Sequence, residues 1–364
     1  MAALGLRIIT LRGEPVLNQN DNTMRHGLLC VLFLCSLLGF EAKAQDPQFS
    51  QFYASPLYLN PALTGSADRA RVGVNYRNQW PSLTHSFRTI SAYVDHFSKT
   101  MESGFGAIVT QHEESFLKYK ATEIGALYSY KMRVTNDLVM RVGMQLSYFQ
   151  KNVNFEDLVF GNQIDIDNGL VIGPSGEQFD RDLNITFLSA SAGGLIYTNN
   201  LWIGAAVHHI NEPNQSLVGA DSRLARKYSF HAGYKHKLSD GPRLRTVAYQ
   251  FQERSVTFAV NYKAQGGFNQ LDAGFQFYFQ PLVIGGWYRG IPIQTVNKVI
   301  KNESIIGLVG LELSQDLAFG YSYDFTVSRL AGSTGGAHEF SLQFSFGKIV
   351  KRTRRDTILP CFKY

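Results

Sequence analysis

Beyond Phe40 no apolar run reaches the roughly 18 residues that would mark a membrane helix, yet apolar and polar residues take turns along most of the chain. In RARVGVNYRNQW (69–80), Ala70, Val72, Val74 and Tyr76 share one parity, and Arg71, Gly73, Asn75 and Arg77 share the other. In NDLVMRVGMQLSYFQ (136–150), Leu138, Met140, Val142, Met144, Leu146 and Tyr148 oppose Arg141, Gly143, Gln145 and Ser147. Successive side chains of a strand point to opposite sides. This pattern therefore predicts strands whose two faces meet different environments.

The lengths say which environments. Several alternating stretches run ten residues or more, whereas strands of soluble proteins average about 5–6 and tilted membrane strands need about 9–11. The polar faces carry Arg, Gln, Asn and Gly, as a polar lumen would. Tyr128, Tyr130, Tyr148 and Phe149 fall near strand ends, where interfacial girdles belong. Charged residues make up 18% of the chain, with 33 Gly, 26 Phe and 18 Tyr, and this composition suits strands joined by tight turns. The expected fold is an all-β, transmembrane, antiparallel β-barrel of the outer-membrane type.

Fifteen segments alternate well enough to be candidate strands: 69–80, 85–97, 104–113, 117–132, 138–151, 183–198, 201–210, 226–238, 242–252, 255–263, 269–279, 281–289, 304–313, 316–327 and 337–346. Bacterial single-chain barrels have even strand numbers, and their long loops share one parity. Long connections at 152–182 and 211–225 disagree in parity with those at 290–303 and 328–336. Removing or merging one strand between 242 and 289, near Glu253 or Pro281, repairs both faults and predicts 14 strands.

The N-terminus reads as an address. Met24-Arg25-His26 precedes the apolar run Leu28–Phe40, and Ala42-Lys43-Ala44 follows it. A basic start, a short apolar core and a small-x-small site describe a secretory signal peptide. The expected organisation is a leader over 1–44 with its start at Met24, a periplasmic or lumenal segment over 45–68, a barrel over 69–347 and a basic tail over 348–364. Of three cysteines only Cys361 lies beyond the leader, so no internal disulfide is expected. The leader takes four basic and three acidic residues from a chain of net charge +6. A positive charge so mild and dispersed points to no nucleic-acid partner.

This strand frame constrains the candidate sites. His208 and His209 in AVHHINEPNQSL (206–217) are adjacent, so a strand sends them to opposite faces and they cannot grip one ion together. His208 is expected in the lumen and His209 at the membrane boundary. Asp165 and Asp167 begin a calcium-loop-like run, but Leu170 and Gly176 stand where an EF-hand needs Gly and Glu. They are kept only as weak metal candidates, and no cofactor is expected. Asp324 shares a face with Ser322 and Thr326, which predicts a lumenal hydrogen-bond network rather than a catalytic triad. No P-loop, G-x-S-x-G or H-E-x-x-H motif occurs. Recognition is then left to exposed segments. The candidate partner-binding residues are Asn162, Gln163, Asp165, Asn211, Glu212 and Asn214 in loops, and Arg352, Arg354 and Arg355 in the tail.

Five stretches in order carry a resemblance: QDPQFSQFYASPLYLNPALTGS (45–66), LVFGNQID (158–165), SAGGLIYTNNLWIGAAVHHINEPNQSL (191–217), GGWYRGIP (285–292) and FGYSYDFTVSRL with GAHEFSLQFSFG (319–330 and 336–347). Together they resemble the PorP/SprF family, outer-membrane proteins of the Bacteroidetes type IX secretion and gliding machinery. The resemblance implies a 14-stranded barrel without catalytic activity that takes part in exporting proteins or holding them at the cell surface. The implied partners are secreted proteins with a type-B C-terminal sorting domain, or a large surface adhesin, together with periplasmic peptidoglycan-binding and other type IX subunits and outer-membrane lipid. The basic tail with Cys361 is not a feature of that pattern. Two other functions fit a barrel: a channel for small solutes, which requires an open lumen, and a barrel hydrolase, for which no arranged triad is visible.

Overall fold

The computed structural model describes residues 45–67, 69–154, 163–164, 168, 182–217, 221–240, 253–296, 299–314, 316–328, 332–347 and 359–360. The leader, Asn162, Asp165, Asp167, Arg352, Arg354, Arg355, Cys361 and the candidate strand 242–252 lie outside the described residues.

A one-turn helix α1 (Pro56–Leu59) and a 3-10 turn (Pro61–Leu63) precede the sheet. Its strands are β1 (Ala70–Gln79), β2 (Phe87–Ser98), β3 (Ser103–Glu114), β4 (Tyr119–Arg133), β5 (Val139–Asn154), β6 (Asp182–Tyr197) and β7 (Leu201–His208), then β8 (Lys227–Asp240), β9 (Glu253–Gln265), β10 (Phe268–Phe279), β11 (Leu282–Val296), β12 (Val299–Glu312), β13 (Leu317–Thr326) and β14 (Ala337–Phe346). Each pairs antiparallel with its chain neighbours, and β1 closes on β14 from Ala70↔Phe346 to Gln79↔Ala337. Closure matters because lipid offers no partner for an open strand edge.

The strand count of 14 agrees with the parity argument. The surplus segment is the one ending near Glu253. β8 pairs directly with β9 from Lys227↔Gln265 to Asp240↔Glu253. One expectation fails. The long connection expected at 290–303 is mostly strand, because β11 runs to Val296 and β12 starts at Val299. The ladder slips between Arg289 and Gly290 and again between Ile291 and Thr295. Such bulges break the period-two pattern, so the extension is hidden from a reading that relies on alternation.

Apolar residues of one parity cover the outside. Met144 is 62% exposed and Leu146 57%, while their neighbours Arg141, Gln145 and Ser147 are buried. That contrast marks the exterior as the lipid face. Met144→Arg is expected to cost about 2–4 kcal/mol, the range for a cation placed in the lipid-facing band of a barrel. Urea unfolding in lipid vesicles would measure it, and no loss would place Met144 outside that band. Phe149 departs from the girdle expectation: it faces inward, is 8% exposed, and stacks on Phe187.

The start of β1 and the end of β14 lie at one end of the barrel, with the short turns 99–102, 134–138, 198–200 and 280–281. The connections 155–181, 209–226 and 327–336 leave from the other end. Long loops mark the extracellular side of such barrels and short turns the periplasmic side.

The described part of 45–67 lies inside the ring. Phe52, Tyr53, Leu59, Ala62 and Leu63 join Val139, Tyr197, Trp202, Trp287 and Leu308 of the wall in one apolar cluster. Leu359 of the tail packs against the same cluster, and Pro360 is buried. These two residues of the tail thus lie against the lumen's core.

Candidate functional site: the plugged lumen and its outer mouth

The N-terminal segment crosses the lumen from the long-loop end to the short-turn end, and three groups of wall residues hold it. At the short-turn end Ser129 donates to the Thr64 carbonyl (2.7 Å) and Arg141 donates to the carbonyls of Ala62 (3.1 Å) and Thr64. The Gly65 N–H donates to Asp95 (2.7 Å), whose other bonds come from Arg71. Farther along, Asn60 caps the 3-10 turn by accepting from the Ala62 N–H, and its amide donates to the carbonyls of Gly194 (3.0 Å) and Ala205 (3.1 Å). The wall makes room with glycines. A Cβ on Gly193 would sit 2.0 Å from Asn60 Oδ1, and one on Gly143 2.4 Å from the Pro61–Ala62 backbone. The Gly residues of the polar face are therefore points of close approach.

The middle group is ionic. Glu339 accepts the backbone N–H groups of Ser50 (2.7 Å) and Gln51 (2.8 Å) on its two oxygens. Asp324 accepts from Ser50 Oγ (2.7 Å), Arg77 (2.8 Å) and Arg289 (2.9 Å). Arg289 also donates to Asp272 (2.8 Å) and to Ser50 Oγ (3.0 Å), and Lys263 stands 3.6 Å from Asp272. Three cations thus face three carboxylates, all but Lys263 deeply buried. A buried charge is tolerable when it is paired and hydrogen-bonded. Gln51 completes the lock by donating to Ser322 (3.1 Å) and accepting from Ser341 (2.7 Å). The network expected around Asp324 and Ser322 is present, and its chief client is the plug.

At the outer mouth Asp46 meets Lys227 (2.7 Å), His209 Nε2 (2.8 Å) and Gln265, whose side chain accepts the Asp46 N–H (3.0 Å). His209 corrects the sequence reading. It lies one residue past β7 with φ +57°, so it turns inward, is 4% exposed, and reaches Ser189 with its other nitrogen (2.8 Å). Alternation ends where the strand ends. His208 keeps its expected lumenal place. Burial works to raise the Asp46 pKa, but the charges of His209 and Lys227 outweigh it and hold the carboxyl well below 3.8. For a depressed carboxylate the stabilisation is complete above the free value and is lost as pH falls through the lowered one. Asp46→Asn is therefore expected to loosen residues 45–48 at neutral pH, with amide exchange there rising roughly tenfold or more. The wild type should loosen only under strong acid.

The other loop candidates are placed as follows. Asn211 accepts from the Ala190 N–H (3.0 Å) and donates to the Leu188 carbonyl (2.8 Å), which caps the β6 edge. Asn214 accepts from the N–H groups of Ser216 and Ser222 and shapes its own loop. Glu212 lies 3.5 Å from Arg226 at the surface, and Gln163 is half-buried. Among the described residues no cluster of three His, Cys, Asp or Glu could hold a metal ion. The plug contacts were not visible from local pattern, since Ser50 and Asp324 are 274 residues apart.

A family model for the type IX secretion system membrane protein PorP/SprF matches residues 41–344. No curated protein matches. Among solved structures, an outer membrane protein Omp33 of Acinetobacter baumannii is similar at 9% identity and TM-score 0.42, over 78% of this chain and 100% of that one. A FadL homologue of Pseudomonas aeruginosa is similar at 13% identity and TM-score 0.43, over 81% and 94%. At these values neither likeness bears on function.

Proposed function

The chain belongs to the PorP/SprF family of type IX secretion system membrane proteins, and on that premise we propose that it is a non-enzymatic outer-membrane barrel that helps export proteins with type-B C-terminal sorting domains or hold them at the cell surface. The membrane address and the barrel follow from the family and the closed sheet. The cargo class, the adhesin alternative and the periplasmic peptidoglycan-binding partner are the proposal's own content. Loop residues Asn162, Gln163, Asp165, Asn211, Glu212 and Asn214 would face cargo, and Arg352, Arg354 and Arg355 would face periplasmic subunits.

The observation that carries the reading is the plug. A lumen crossed by a segment bonded to opposite walls is poorly suited to steady solute flow, and it leaves the outer mouth and loops as recognition surfaces. That weighs against the solute-channel alternative. The test is purification in mild detergent with identification of co-purifying chains. Sorting-domain proteins and a peptidoglycan-binding subunit are expected, and recovery of neither from secreting cells would defeat the reading.

A further inference from the structure

A cavity of about 350 Å³ opens at the outer mouth between the plug and the upper parts of β8, β9 and β10. Its apolar lining is mainly aromatic: Phe49, Phe52 and Tyr58 of the plug, Phe268 at the start of β10 and Trp80 just past β1, with Leu59 and Ala264. Phe49 and Tyr58 meet edge to face at 5.3 Å. Cavities of this size that set polar groups among aromatic walls are the usual form of a small-ligand site.

The ionic groups at the cavity are already matched. Lys227 is bound to Asp46, Lys263 faces Asp272, and Glu303 accepts from Gln48 and lies 3.9 Å from Arg289. A charged ligand would gain little and would have to break one of these pairs. Two polar atoms there are unmatched, Ser55 Oγ and His208 Nε2, and the imidazole nitrogen is the one aimed among the aromatic walls. His208 lines the cavity, is 5% exposed, and its Nε2 has no hydrogen-bond partner. A buried nitrogen left without a partner carries an uncompensated desolvation cost, which a donor on a ligand would recover.

We propose that this cavity binds a neutral aromatic group bearing one hydrogen-bonding atom, supplied as a Tyr or Trp side chain of a polypeptide arriving at the outer mouth. The aromatic walls take the ring edge to face or stacked, and His208 Nε2 takes the hydroxyl or indole N–H. The position suits a chain arriving from outside. Trp80 and Phe268 stand beside the outer connections 80–86 and 266–267, and Phe268 is 48% exposed. The inference rests on the secretion reading for its polypeptide source, and it gives that reading an anchoring pocket.

The test uses the full protein in lipid nanodiscs and titration calorimetry. The probes are N-acetyltyrosinamide, the same residue within a short alanine peptide, cyclohexylalanine amide and phenol. Saturable binding of the tyrosine amide and the peptide is expected, with the cyclohexyl amide weaker. Phe268→Ala, a residue at the rim, should weaken tyrosine binding by roughly two- to tenfold. Its heat-modifiable migration on gels would show that the barrel is intact. N-acetylphenylalaninamide, added as a fifth probe, should bind more weakly than the tyrosine amide, and His208→Phe should erase that preference. No saturable binding, or equal binding of the cyclohexyl amide with Phe268→Ala unaffected, overturns the site. Phenol binding as tightly as the peptide overturns the polypeptide source. None of these failures would alter a positive co-purification result, so the two proposals are tested separately.

Discussion

Deleting residues 45–63 should turn a barrel that passes little current into an open pore. The wall is a closed ring of 14 strands with its own complete ladder, so it does not need the segment in order to close. Without the segment, the polar parity of each strand would line a water-filled passage, and rings of this strand number are wide enough for one. In planar bilayers the conductance is expected to rise by roughly tenfold or more. Gly193→Val offers a check that keeps the chain intact. A side chain there takes the space of Asn60 Oδ1, 2.0 Å from where its Cβ would lie. Intermittent openings are expected from it. Large steady current through the wild type would refute the plugged lumen and revive the solute channel.

Arg289→Met should be the most damaging point substitution in the wall. Arg289 is fully buried and holds Asp272, Asp324 and Ser50 at once, so it ties β10, β13 and the plug together. Removing one partner of a buried pair leaves charge uncompensated, at about 3–5 kcal/mol. Lysine should rescue little, because a single ammonium cannot reproduce a planar fork aimed at three acceptors. Adding Asp272→Asn to Arg289→Met should recover part of the loss by removing one stranded carboxylate. Urea denaturation in vesicles, followed by gel mobility, reads all three variants. A loss below about 1 kcal/mol for Arg289→Met would show that the surrounding cations carry the load.

The wall was legible because each strand repeats one local rule. Val72 and Val74 outward, Arg71 and Asn75 inward, is a statement about neighbours, and a sequence displays neighbours. The rule failed where the backbone left the ladder. His209 turned inward once β7 had ended, and the β11–β12 extension was masked by bulges at Gly290 and after Ile291. The plug's grip could not be read at all. Its bonds join residues such as Gln51 and Glu339, 288 apart, and nothing local to either marks the other. One sign was nevertheless present. The inward parity carries small residues at Gly143 and Gly193 where a filled lumen needs clearance. Glycines confined to one face of long strands can thus signal a second layer of chain behind them.

The direction of the plug also bears on where the chain can be tagged. Its first described residues sit at the outer mouth, and β1 begins at the opposite end, paired to β14. Residues 45–67 therefore fill the ring along its length, from the outer mouth down to the start of β1. An affinity handle inserted within this segment would have to share the narrow passage that it fills. A handle inserted in the turn between β4 and β5 avoids that passage and is the better choice for isolating the assembled protein.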